Sequence, residues 1–127
     1  MVTVGTLINK DPVTVDTGTS VVEVAKIMKA CGVESVFVVR QARIVGIVTE
    51  SDVVKKFVGV ERAPYFVPVE EIMSSPILGI EARCPLTEAA DLMNKHNTLH
   101  LGVTRDGALI GVLSVRDFLR PVSIDRF

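Results

Sequence analysis

One phrase occurs twice in this 127-residue chain. Gly46-Ile47-Val48-Thr49-Glu50-Ser51-Asp52 returns 65 residues later as Gly111-Val112-Leu113-Ser114-Val115-Arg116-Asp117. Each copy leads from an apolar, β-type stretch into the first turn of a helix. Each also sets a hydroxyl and a carboxylate three residues apart at that junction. Two copies in register define an internal repeat, which restricts the chain to architectures where one supersecondary unit packs on a second. Half the chain, about 63 residues, is close to the size at which a core alone scarcely stabilises a fold, so the halves are expected to share one core.

The repeat extends well beyond the phrase. From Ser20/Pro85 to Lys55/Arg120 the offset of 65 holds without a gap, with identities Glu23/Glu88, Ala25/Ala90, Met28/Met93, Val38/Val103, Arg40/Arg105, Gly46/Gly111 and Asp52/Asp117. The helical stripe Val21, Val24, Ala25, Met28 is repeated by Leu86, Ala89, Ala90, Met93. Gly32 is placed to stop the first helix in a left-handed conformation, and Asn97, the other residue that tolerates it, stands in the second copy. Further upstream, the stretch from Val4 to Ile8 matches that from Val69 to Met73, and Pro12 matches Pro76 with one residue lost.

Read in order, the first copy opens with a helical turn over residues 4–8 and a brief strand, Val13 to Val15. The turn cluster Asp16-Thr17-Gly18-Thr19 comes next. Ser20-x-x-Glu23 has the spacing of a capping box at a helix start. Strands are predicted over 35–39 and 44–48, with a tight connection at 40–43. A helix over 50–58 is predicted to turn Val53, Val54 and Phe57 inwards. Residues 59–68 carry two prolines and read as a linker, dividing the chain into a first repeat, 1–62, and a second, 63–127. In the second copy Pro85 is expected at the first helical position, without a capping box. Asp106-Gly107 marks the second tight turn, and Pro121 cuts the last helix short, leaving Val122 to Phe127 as a tail. The unit is thus β-α-β-β-α, with the first two strands parallel and the third antiparallel. The fold class is α/β, with two such repeats packed in pseudo-two-fold symmetry around two equivalent clefts.

Composition narrows the function. The chain is 48% hydrophobic with no Trp, and its mean hydropathy is +0.42. Such a surplus of apolar surface on a small domain points to a homo-oligomer. No apolar run approaches the length of a membrane span. Fourteen basic against fifteen acidic residues argue against a nucleic-acid partner. The start Met1-Val2-Thr3-Val4-Gly5-Thr6 lacks the pattern of a signal peptide, so a cytoplasmic protein is expected. Cys31 and Cys84 read as small core residues. No nucleophile–base constellation stands out, and His96 and His100 flank the predicted helix end at Asn97, a poor arrangement for metal. No catalysis and no metal are expected.

The Thr49-x-x-Asp52 and Ser114-x-x-Asp117 pairs admit two readings. As helix caps, the hydroxyl accepts from the first turn and the acid reaches back. As ligand contacts, the hydroxyl donates to a phosphate and the carboxylate accepts from ribose hydroxyls. Arg116 beside Asp117 offers a bidentate phosphate partner, whereas its counterpart Ser51 offers only a hydroxyl.

Two units of about 60 residues, each with an apolar helix and a hairpin ending in Gly, two apolar residues, Thr or Ser, any two residues and Asp, resemble a tandem pair of CBS domains, the Bateman module. The resemblance spans residues 4–122 and leaves no room within them for an attached enzyme or transporter. It implies a stand-alone adenine-nucleotide sensor, with AMP first and ADP or ATP next, bound in clefts between the repeats, and a flat, disc-like homodimer that signals to an effector protein. The alternatives are a module for S-adenosylmethionine or another adenosyl ligand, and a purely structural dimerisation protein. By resemblance, Thr49 and Ser114 face phosphate, and Asp52 and Asp117 face ribose. Val13, Thr14, Val33, Glu34 and Ser35 complete the site of Asp117. Ile77, Leu78, Leu99 and His100 complete that of Asp52, where His100 offers partial positive charge. Phe37 and Gly102 stand where many family members carry Pro, and Phe37 fills either the cleft or the core.

Overall fold

The computed structural model describes residues 2–8, 12–61 and 67–119. Its helices are α1 (Val4–Leu7), α2 (Val21–Cys31), α3 (Glu50–Lys56) and α4 (Leu86–His96). Its strands are β1 (Thr14–Asp16), β2 (Ser35–Arg40), β3 (Arg43–Thr49), β4 (Gly79–Glu81), β5 (His100–Arg105) and β6 (Ala108–Ser114). They form two three-stranded sheets, β1-β2-β3 and β4-β5-β6. In each, the first two strands run parallel and the hairpin adds the third antiparallel, as the β-α-β-β-α pattern predicts. The chain is therefore mixed α/β, with the repeat expressed twice.

Local chemistry explains the boundaries. Ser20 caps α2, its Oγ accepting from the Glu23 amide at 3.1 Å. Gly32 ends that helix at φ 65°, and the Val33 amide then donates to the Met28 carbonyl at 3.0 Å. Asn97 repeats the device at φ 51°, with the Thr98 amide on the Met93 carbonyl at 3.0 Å. Pro85 is the N-cap of α4 rather than its first helical residue, and contributes no side-chain cap. Its extended ψ of 156° is what a residue outside the helix adopts. Both hairpins close with two residues at positive φ, Gln41 and Ala42 in one, Asp106 and Gly107 in the other. Each sheet shifts register between strand partners at the same place in the repeat, Val38/Val39 and Val103/Thr104. The repeated glycine sits beside that irregularity, and at Gly46 the reason for glycine is space. A Cβ there would lie 2.9 Å from Met73 Cγ and 3.0 Å from the Ser74 carbonyl oxygen.

The compact units do not follow the division at 62/63. One comprises Val13–Ile77; the other joins Met1–Pro12 to Leu78–Phe127. In the second unit Val4 and Leu7 of α1 pack with Ile80, Ala82, Ala89, Met93, Leu101, Val103 and Leu113. The Val4 and Gly5 amides donate to the Cys84 and Ala82 carbonyls at 2.9 and 2.8 Å. In the first unit Val67, Val69 and Ile72 occupy the matching place among Val15, Val21, Val24, Met28, Val36, Val38 and Val48. The Val69 amide donates to Thr19, and the Val21 amide to Val67. Part of the expected linker is therefore core: Val67 is buried and Pro68 bridges to Ser20. Residues 62–66 of the linker, and Pro121 with the tail to Phe127, lie outside the described residues.

Several facing residues differ from expectation. Val53 and Phe57 pack inwards, but Val54 is 60% exposed, because α3 is a single short helix whose inner stripe is one residue wide per turn. Ala89 and Met93 are buried while Ala90 is exposed. Cys31 is exposed rather than core, since the last turn of α2 from Lys29 onward is open to solvent; Cys84 is half-buried. Phe37 is 1% exposed and pairs with Ile47 on the sheet face opposite Val36 and Val38.

Candidate ligand-binding site

The hydroxyl–carboxylate pairs stand where β3 and β6 end. At the first junction Thr49 is the N-cap of α3, with its backbone extended at φ −114°. Its amide donates to Asp52 Oδ2 at 3.0 Å, and the Asp52 amide returns a bond to Thr49 Oγ1 at 3.3 Å. This is a capping box with Asp in place of Glu. The Thr49 hydroxyl also donates to Asp52 Oδ2 at 3.2 Å, so its hydrogen is committed within the motif. Asp52 is 9% exposed, and its other oxygen, Oδ1, lies 2.9 Å from Lys56 Nζ. Lys56 in turn donates to the Ile72 carbonyl at 3.2 Å. The cap reading holds at this copy.

The second junction is built differently. The Ser114 amide donates to Asp117 Oδ2 at 2.8 Å, matching the first copy. Ser114 Oγ, however, accepts from the Arg116 amide at 3.0 Å, and a 3₁₀ turn over Val115–Leu119 replaces the α-helix. A hydroxyl that accepts keeps its own hydrogen to give. Among the described residues, no bond takes that hydrogen. Arg116 is exposed and Asp117 half-buried.

The remaining predicted residues fall in two matching groups. In the unit Val13–Ile77, the Val13 carbonyl accepts from Phe37, the Glu34 carbonyl accepts from the Glu50 amide at 3.0 Å, and buried Ser35 stands opposite Thr49 in the sheet register. Thr14 is exposed, Val33 half-buried and Ser51 exposed. In the other unit the Leu78 carbonyl accepts from Gly102, the Leu99 carbonyl from Val115, and His100 stands opposite Ser114. His100 Nε2 is fully buried, and Leu99 is 58% exposed. Ile77 is the last residue of the first unit. Within a unit, then, Glu34 and Ser35 neighbour Thr49 and Asp52, while Leu99 and His100 neighbour Ser114 and Asp117. Apart from Ile77, which shares a unit with Asp52, the pairing implied by the resemblance draws on residues of different units. Lys56 is the site residue missed from the sequence. The signal was present, because a lysine four residues after an aspartate shares its helix face.

A family model for the CBS domain matches residues 4–59 and 69–123. The chain belongs to the CBS-domain family. Among solved structures, a putative signal-transduction protein with CBS domains from Burkholderia ambifaria is 34% identical, with TM-score 0.84, over 93% of this chain and 87% of that one. An uncharacterized conserved protein from Pyrococcus horikoshii aligns with TM-score 0.86 at 27% identity, covering 92% and 89%. The CBS domain pair of protein MJ0100, solved with 5′-methylthioadenosine and S-adenosyl-L-methionine, aligns with TM-score 0.79 at 25% identity, covering 93% and 97%. An uncharacterized protein of Methanocaldococcus jannaschii is 32% identical over 90% of this CBS-domain pair. The chain spans 63% of that relative and 62% of one from Methanopyrus kandleri. No helix among the described residues is long and apolar enough to cross a membrane.

Proposed function

We propose that this CBS-domain pair is a non-catalytic regulatory module of the cytoplasm that binds an adenine nucleotide, AMP before ADP or ATP, and works as a homodimer. A CBS-domain pair is a regulatory ligand-binding module, which supports the first half of the reading. The observation that carries the ligand is the second junction. There a hydroxyl with an uncommitted hydrogen, a carboxylate and an exposed guanidinium lie within four residues of one another. Ser114 donates to phosphate, Arg116 neutralises it, and Asp117 accepts from the ribose hydroxyls. Exposed Val54, Val58 and Val60, at 60%, 63% and 52%, support self-association through one stretch of surface. Binding acts by population shift: the nucleotide favours the conformation that holds it best, and an effector protein reads that conformation.

A second reading, an S-adenosylmethionine or methylthioadenosine module, is favoured by the ligands in the solved MJ0100 pair. Arg116 separates the two. Calorimetry should show that Asp117→Ala abolishes binding of either ligand class. Arg116→Ala should weaken AMP by about 10- to 100-fold, the value of a charge-assisted phosphate contact, and leave 5′-methylthioadenosine unchanged. Heat with neither ligand, from a chain that still sediments as a dimer, would leave a purely structural role.

A further inference from the structure

We propose that the tip of the first hairpin, where Arg40 and Arg43 stand side by side, is a docking surface for an acidic, extended segment of a partner protein. The tip holds none of the residues assigned to ligand above, so the inference stands apart from the nucleotide reading.

The two arginines are cross-strand partners on the last rung of β2 and β3. Partners on one rung share a face and lie about 5 Å apart at Cα, so two like charges stand directly opposite, which destabilises a hairpin. No carboxylate offsets them: among the described residues neither arginine forms an ion pair. Asp16 is paired with Val39, and successive residues alternate faces, so its side chain leaves on the other face from Arg40. Glu70 reaches the turn that follows β1, where its carboxylate accepts from the Gly18 amide at 2.8 Å. The connection between the arginines adds a second unfavourable feature, Gln41 and Ala42 both at positive φ. All four residues are exposed, as is Ile44 beside them.

The second hairpin has neither feature. Arg105 stands opposite Ala108, and its guanidinium lies back against α1, 3.1 Å from the place a Gly5 Cβ would take. Asp106 pairs with Arg83 at 3.4 Å, and Asp106-Gly107 suits its turn. The repeat thus keeps an uncompensated pair of cations at one tip only, and a local cost retained without local gain marks a functional position. Shape and charge decide what fits there. An exposed hairpin end lacks the concave walls that hold a small ion. Two arginines on one rung match carboxylates on alternate residues of an extended segment, which share a face about 7 Å apart. Ile44 adds an apolar contact next to them. Nucleic acid would call for a wider basic surface than two residues on a chain of 14 basic and 15 acidic side chains.

The probe is a fluorescein-labelled peptide of alternating Glu and Ser, followed by fluorescence anisotropy at low salt. Binding should saturate, and should weaken as salt rises. Arg40→Gln and Arg43→Gln should each weaken it about 10-fold, the lower end for a charge-assisted contact, while Arg105→Gln leaves it unchanged. Hydrogen exchange should show the peptide slowing the amides of residues 41–44. The double variant should melt no lower than wild type, because a like-charge pair is removed; if it does not fold, the single variants decide. Unchanged affinity in a folded double variant, or an equal loss with Arg105→Gln, overturns the proposal. So does tighter binding to single-stranded DNA or to phosphatidylserine vesicles than to the peptide. Loss of self-association as the variants' sole effect overturns it as well, making a second copy the partner.

Discussion

Cys31 and Cys84 show how far side chains of one type are separated by their surroundings. Cys31 closes the exposed last turn of α2. Cys84 is half-buried, and burial, together with a hydrogen bond to Glu88 and that residue's charge, pushes its thiol upward from the usual range. The thiolate is the reactive form, so near neutral pH less of Cys84 is ready to react. Iodoacetamide labelling and peptide mass spectrometry should find Cys31 modified first. Glu88→Gln, which removes the negative charge, lowers the Cys84 pKa and should speed its labelling. Equal rates at the two cysteines would contradict this account. Their difference was not legible in the sequence. Cys31 continues the Val21, Val24, Met28 spacing and so reads as core, but the last turn of α2 is open to solvent. The opposite holds at Asp52, where the cap spacing was legible and the Lys56 partner was implied by i,i+4 geometry.

The hairpins and helix ends carry the repeat more faithfully than the residues do. Gly32 and Asn97, chemically unlike, stop α2 and α4 in the same left-handed conformation. Asp106-Gly107 announces its turn, because both residues accept positive φ at little cost. Gln41-Ala42 makes the equivalent turn with φ 50° and 62°, for which its residue types provide no local reason. Ala meets a steric penalty there that Gly does not. Replacing Gln41-Ala42 by Asn-Gly should therefore stabilise the chain by about 1 kcal/mol, read as a higher urea midpoint with unchanged slope. A lower midpoint would mean that Gln41 or Ala42 makes contacts outweighing the strain. Strand and helix positions were readable from periodicity, since α2 and α4 each bury a stripe one turn wide. The facing of Val54 and Ala90 was not, because at the edge of such a stripe a small rotation of the helix decides between core and solvent.

Across the molecule, the sequence pattern marked residues 4–8 and 69–73 as matching helical turns but not where they pack. Val4 and Leu7 match Val69 and Ile72 in type and spacing, and adjacency assigns each to the copy directly after it. The structure instead seats Val4 and Leu7 in the core of β4, β5, β6 and α4. Leu7 is 2% exposed, and Leu7→Ala should cost about 2–5 kcal/mol. Hydrogen exchange should place that loss mainly in β5 and β6, with β2 and β3 protected nearly as before; loss confined to β2 and β3 would return α1 to the first unit. The same seating governs the order in which a ribosome-bound chain is able to fold. Residues 13–77 form a unit from one contiguous stretch, complete as soon as Ile77 has emerged. Val4 and Leu7, made before that unit, wait in contrast for β6 before their apolar side chains have a home. Long-range closures of this kind are the slow ones. Nor does a cut in the middle of the chain yield two halves of equal worth: a fragment ending at 62 lacks Val67, Val69 and Ile72 from its own core, and carries Val4 and Leu7 with nothing to cover them.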